Sequence, residues 1–335
     1  MKLPPEHELH DVLAWTIANP PVPSQPSQTT GQPQPAQTFT EQTPYVAHPS
    51  DIPPATKPLP EIWDWDRLME EAEKPMPPEI LKDLLWKGCR MSVEGSSKAG
   101  KTWTLMNLGL AAVQGTSWMG IEVVKPCRVL YMDFELLSRM AAGRVQMIKK
   151  ALNFGRQPNF HYWPLRGSCY EFSRLKEHLL VSGRQKAYDL VIVDPYYKAA
   201  AGLDENSVSD VMLILQEIER FSEETETAIV YAHHYSKGNK SDVDALDRAS
   251  GSGAFARDPD AKIMLTRHME EDCLTVEPIS RYAASPASSV VETTFPTFKQ
   301  RGDLDPKDLY NPARLEAYER KRDARKSGDS EEQPF

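Results

Sequence analysis

The chain has 335 residues, with 39 basic and 48 acidic side chains and a net charge of −9. That balance excludes a surface that is basic all over, although a basic channel formed where subunits meet remains compatible with it. The longest apolar runs are far below the eighteen residues a membrane span needs, and the four widely spaced cysteines lack metal-ligand spacing, so a soluble cytoplasmic protein with reduced thiols is expected, with no membrane partner.

Residues 1–60 are rich in Pro, Gln, Ser and Thr, as in Pro20-Pro21-Val22-Pro23 and Gln32-Pro33-Gln34-Pro35. Such a segment has too little apolar surface to offset its chain entropy and is expected to be a disordered arm. Residues 61–302 carry the regular apolar patterning of a folded α/β domain. Its lead-in, Glu61 to Trp86, has mixed helical character, and Trp63, Trp65 and Trp86 are expected to pack on the core. Residues 303–335 are charged and poor in large aliphatics, which predicts a flexible tail with a frayed helix.

Within the domain, Arg90 to Glu94 predicts a strand and Trp103 to Gln114 a helix. Between them lies Gly95-Ser96-Ser97-Lys98-Ala99-Gly100-Lys101-Thr102, an ungapped G-x-x-x-x-G-K-[ST] phosphate-binding pattern. The glycines let backbone N–H groups close around phosphate oxygens, and the helix N-terminus favours an anion. Lys101 offers a point charge to the β and γ phosphates of ATP, and the Thr102 hydroxyl is placed to ligate Mg²⁺.

Four more strands are predicted at Arg128–Asp133, Leu190–Asp194, Ala228–Ala232 and Ala261–Leu265. They alternate with helical spacing at Ser138–Leu152, Glu171–Ser182 and Val208–Glu224. Strands apolar on both faces are covered above and below by helices, and the alternation implies right-handed crossovers and a mainly parallel sheet. Leu274–Val276 and Val290–Phe298 add late, partly antiparallel strands. Ligands of open α/β sheets bind at the carboxyl ends of the strands, and polar residues recur at those ends here. Asp194 ends an aliphatic run as a metal-holding Walker B acid does. Glu135 is the expected general base for attack by water on the γ-phosphate, with Asp133 its competitor. His233 and His234 follow a buried strand, where one ring would face the site and sense the γ-phosphate. The long polar stretch after them carries Lys237, Lys240 and Arg248, expected to contact nucleic-acid backbone.

Together these residues resemble the RecA-like hexameric ATPases, and among them the RepA-like replicative helicases and related AAA ATPases of mobile elements. The resemblance spans about Pro77 to Tyr282. It is carried by Gly95 to Thr102, Tyr131-Met132-Asp133-Phe134-Glu135 and Tyr188 to Pro195, and most specifically by Tyr231-Ala232-His233-His234-Tyr235-Ser236-Lys237-Gly238 and Ala249-Ser250-Gly251-Ser252-Gly253-Ala254-Phe255-Ala256. It implies a RecA-like core, a ring of six subunits with ATP bound between neighbours, Glu135 as catalytic glutamate, Asp194 as the Walker B acid and His234 as sensor. It also implies that the loop from Ser236 to Gly253 faces single-stranded DNA in the channel. Three residues suit the arginine-finger position: Lys262 near the RepA-like place, Arg281 near the DnaB-like one, and Arg257. The arm would tether a primase or initiator. A helicase of a plasmid, phage or integrated element is the leading expectation. An ATP-switched DNA-binding or recombination-mediator protein is the alternative, and a small-molecule kinase lacks the arginine-rich lid it would need.

Overall fold

The computed structural model describes residues 61–95, 100–167, 172–181, 188–199, 208–234 and 258–327. Chain contacts divide it into Met1–Leu68 and Met69–Phe335. Helix α1 (Trp65–Ala72) runs across that boundary in the chain; Asp64 Oδ1 caps it by accepting the backbone N–H of Arg67 at 2.9 Å, and the Arg67 guanidinium lies 4.6 Å from the Trp63 ring centroid. Helix α1 buries none of its residues, and Trp63 and Trp65 are exposed.

In the second unit, strands β1 (Glu79–Leu81) and β2 (Leu85–Trp86) form a small antiparallel sheet, so Trp86 lies on a strand rather than a helix. The chain then enters β3 (Arg90–Gly95), crosses to helix α2 (Lys101–Gln114) and returns in β4 (Val129–Asp133). Helix α3 (Ser138–Leu152), strand β5 (Phe160–Pro164), helix α4 (Phe172–Val181) and strand β6 (Leu190–Asp194) follow. Helix α5 (Val208–Thr225) leads to β7 (Ala228–His234), and β8 (Ala261–Arg267), β9 (Cys273–Ser280), β10 (Ser289–Thr294) and β11 (Thr297–Gln300) complete a nine-stranded sheet.

The strand order is β11-β10-β9-β8-β3-β7-β6-β4-β5. Strands β8, β3, β7, β6, β4 and β5 run parallel, and β9, β10 and β11 are antiparallel additions. This is the α/β architecture expected: a mainly parallel sheet flanked by helices, with late antiparallel strands. Alternating residues divide its faces. Met91, Val93, Tyr131, Ile192 and Val230 pack with α2, whereas Met132, Val191, Val193 and Ile229 pack with α4 and α5. Each such aliphatic contributes roughly 1.5–3 kcal/mol on full burial, which outweighs the modest strand propensity of any single position.

Helix α2 is apolar nearly all round because it is sandwiched under the sheet, with Leu105, Met106 and Leu108 fully buried. Glycines bound it at both ends, Gly100 at φ 75° and Gly115 at φ 67°, where L side chains are strained. Strand β5 was not expected from the sequence. Its residues are aromatic and half-buried and end in Pro164, the pattern of an edge strand rather than of a covered one.

Past β11, the residues read as the start of a flexible tail are hydrogen-bonded to the sheet. His268 Nε2 lies 3.0 Å from the Asp305 carbonyl oxygen, and the Tyr310 N–H donates to the Arg267 carbonyl at 2.8 Å. Helix α6 (Leu315–Ser327) follows. No helix among the described residues is long and apolar enough to cross a membrane.

Candidate nucleotide-binding site

Three strand tips converge on the N-terminus of α2. Strand β3 delivers Gly95, and the helix restarts at Lys101 after Gly100 in the left-handed conformation. Ser96, Ser97, Lys98 and Ala99 lie outside the described residues. The Lys101 ammonium folds back to donate to the Gly95 carbonyl at 2.8 Å and is only 6 % exposed. Burial pulls its pKa down to about 8, against the opposing pull of the Asp194 and Glu135 carboxylates.

Strand β6 ends at Asp194, whose register partner on β4 is Asp133, so both acids stand side by side on the sheet. Asp194 is 2 % exposed. Its Oδ2 accepts from the Tyr131 hydroxyl at 2.6 Å, and the Thr102 hydroxyl donates to the same carboxylate. Desolvation pushes its pKa up to about 6; the Tyr131 and Thr102 hydrogen bonds lower it, and the nearby Asp133 and Glu135 carboxylates raise it further. Burial drives the Tyr131 phenol well above its ordinary value, so it remains a donor.

Asp133 is fully buried and committed. Its Oδ1 accepts the backbone N–H groups of Glu135 and Leu136, each at 2.8 Å, and its Oδ2 accepts from the Tyr162 hydroxyl at 2.9 Å. These bonds cap the turn that presents Glu135. The Glu135 carboxylate is exposed, with its Oε1 3.7 Å from the Lys198 ammonium. Of the two competitors for the base, Asp133 holds the loop and Glu135 is the one turned outward.

The remaining predicted residues fall in three groups. His233 is register-paired with Glu94 and His234 with Gly95, which sets the histidines beside the start of the phosphate loop. His233 is buried, with its ring 5.8 Å from Tyr196; of His234 the strand position alone is described. Lys262 is 4 % exposed and its ammonium lies 3.8 Å from Glu94 Oε1, so it is engaged inside its own subunit rather than projecting as a finger. Burial lowers the Lys262 pKa and raises that of Glu94. Arg281 follows the end of β9 and stands at the amino-terminal end of β8, with its Nη1 3.4 Å from Asp260 Oδ1. About 17 Å of strand separates that end from the phosphate loop, so Arg281 does not reach the site of its own subunit. Arg257, Lys237, Lys240 and Arg248 lie outside the described residues.

Sequence reasoning missed Tyr131, Tyr162 and Lys198. The available signal was a tyrosine two residues before a strand-end acid, which strand alternation puts on the same face as that acid.

The donor pair suits Mg²⁺. The Asp194 carboxylate and Thr102 hydroxyl are hard oxygen ligands in contact with each other beside Lys101, and no group of three or more His, Cys, Asp or Glu side chains among the described residues forms a closed cage. Mg²⁺ takes one or two protein oxygens and completes its shell with water and phosphate, which is the set offered here.

A phosphate loop, a strand-end acid bonded to its threonine, and an outward glutamate one strand further define a P-loop nucleotide-binding α/β domain. A family model described as AAA domain matches residues 53–240. The chain belongs to that family, and its domain is an ATPase domain. Among solved structures it is similar to the flagellar accessory protein FlaH from Methanocaldococcus jannaschii, at 12 % identity and TM-score 0.43 over 64 % of this chain and 90 % of that one. It is also similar to a second solved structure, itself an ATPase domain, at 11 % identity and TM-score 0.47 over 63 % of this chain and 84 % of that one. A comparison with curated proteins finds no match.

Proposed function

We propose that this chain is a Mg²⁺-dependent, RecA-like ATPase motor that works as a replicative DNA helicase, of the RepA-like kind found on plasmids, phages and integrated elements. The observation that carries the ATPase part is the contact of Thr102 with Asp194 beside Lys101, with Glu135 presented from the next strand by Asp133.

In this mechanism Lys101 leaves the Gly95 carbonyl to pair with the β and γ phosphates. Asp194 and Thr102 would hold Mg²⁺, which would supply charge neutralisation on those phosphates. Glu135 accepts a proton from water as the water oxygen bonds to the γ-phosphorus, and the bridging oxygen leaves with ADP. A histidine at the end of β7, His233 or His234, senses departure of the γ-phosphate and repositions the loop that follows. The DNA part is supported by the sequence motifs at 231–238 and 249–256, with Lys237, Lys240 and Arg248 gripping the phosphates of single strands in a six-membered ring. Arg281 is the preferred finger, acting in trans, because its side chain is exposed whereas Lys262 is buried on Glu94. Residues 1–60 would tether a primase or initiator.

The test measures ATP turnover with and without single-stranded DNA, strand displacement on a forked duplex, and mass in solution with a non-hydrolysable ATP analogue. Lys101→Ala should abolish turnover. DNA-stimulated turnover without duplex opening would replace the helicase with an ATP-switched DNA-binding protein, and undiminished turnover in Lys101→Ala would reject the site.

A further inference from the structure

An aromatic cluster beside the phosphate loop has no part in the hydrolysis scheme above. Trp103 directly follows Thr102 in the first turn of α2, and its ring is half-buried. Phe295, at the tip of the β10–β11 hairpin, is 55 % exposed, and the two rings meet edge to face with centroids 4.7 Å apart. The Arg144 guanidinium, from α3, lies 4.8 Å from the Trp103 centroid. The hairpin is tied down: Asn107 Nδ2 donates to the Pro296 carbonyl at 3.0 Å and to the Trp103 carbonyl at 2.9 Å. A segment almost two hundred residues downstream in sequence is thereby held against the first two turns of the phosphate helix.

Phe295, Trp103 and Arg144 thus gather aromatic and cationic surface at the N-terminal end of α2, partly open to water. A nucleotide whose phosphates rest on the N-terminus of α2 must extend its sugar and base over neighbouring surface, and among the described residues this cluster offers an apolar and cationic one. We propose that Phe295, Trp103 and Arg144 form the nucleobase platform of the same site, a proposal that rests on the nucleotide-binding reading. Phe295 supplies the stacking face, Trp103 braces it edge-on, and Arg144 holds Trp103 by a cation–π contact. Stacking scales with ring area and is tolerant of the base's hydrogen-bonding edge, so the platform takes purine nucleotides in preference to pyrimidine ones.

Steady-state kinetics on the full chain tests this. Phe295→Ala, at an exposed position, should raise the KM for ATP about tenfold, with the effect falling on KM rather than kcat, while competition by inorganic triphosphate keeps its wild-type strength. Phe295→Tyr should restore the ATP KM. Trp103→Phe should lose the part of the nucleotide-induced change in tryptophan fluorescence that wild type shows with ATP but not with triphosphate. An unchanged ATP KM in Phe295→Ala, with triphosphate still competing, would overturn the platform alone, as would a variant that loses only affinity for oligothymidylate. If triphosphate fails to compete with ATP in the wild type, the phosphate site itself falls, and the platform with it.

Discussion

The Tyr131 hydroxyl donates to Asp194 Oδ2 at 2.6 Å, and both residues are almost completely buried. Tyr131 stands one strand away from the acid it holds, so the tips of β4 and β6 are locked by a side chain rather than by the ladder alone. The arrangement leaves the Asp194 carboxylate oriented toward Thr102, which is where a cation shared with phosphate would sit.

Removing that hydroxyl should therefore cost stability and metal affinity together. Tyr131→Phe is expected to lose about 1.5–3 kcal/mol, the usual worth of a hydrogen bond to a charged group. It should also raise the Mg²⁺ concentration for half-maximal turnover. Thermal unfolding and a Mg²⁺ titration check both, and a variant with wild-type Tm and wild-type Mg²⁺ dependence would show that the bond holds nothing.

The two acids after β4 should separate cleanly by mutation. Glu135→Gln is expected to keep ATP binding and Tm while hydrolysis falls by about 10²-fold or more. Asp133→Asn removes the charged acceptor for Tyr162 and for two backbone N–H groups, so its first effect should be on stability. Calorimetric nucleotide binding alongside single-turnover hydrolysis distinguishes them; normal hydrolysis in Glu135→Gln would move the base elsewhere.

Lys262 should behave as a structural cation. Its loss leaves the Glu94 carboxylate buried without its ion-pair partner, and such a break costs about 3–5 kcal/mol. Lys262→Met should lower Tm sharply, and the added Glu94→Gln should recover much of the loss, because removing both charges is far cheaper than removing one. A finger would instead lose hydrolysis at constant Tm, so that outcome would restore Lys262 to the candidates.

The end of the phosphate helix provides a test away from the chemistry. Gly115 caps α2 at φ 67°, and a Cβ there would lie 2.9 Å from the Pro126 ring. Gly115→Ala should cost about 2 kcal/mol, combining left-handed backbone strain with the contact. Denaturant unfolding should show a lower midpoint at unchanged slope; an unchanged midpoint would mean the helix end yields without penalty.

Much of this protein could be read from the chain because its local signals are covalently contiguous. A strand covered on both faces must be apolar along its length and can turn polar only at its tip, so Val129–Asp133 and Leu190–Asp194 announced both the strand and its acid. The phosphate loop is legible for the same reason, since eight consecutive residues carry it. Strand β5 escaped because half-buried aromatics at a sheet edge carry neither signature, and the β10–β11 turn because Val290 to Phe298 reads as one run when its fold at Phe295-Pro296 is not marked by glycine.

Only the tertiary structure decided the pairings. That β7 lies between β3 and β6, that the Tyr162 hydroxyl occupies Asp133, that Lys262 is buried on Glu94, and that Phe295 comes to rest on Trp103 all depend on groups far apart in sequence. Such contacts are chosen by the collective burial of whole strands and helices, a free energy that belongs to no short window of sequence.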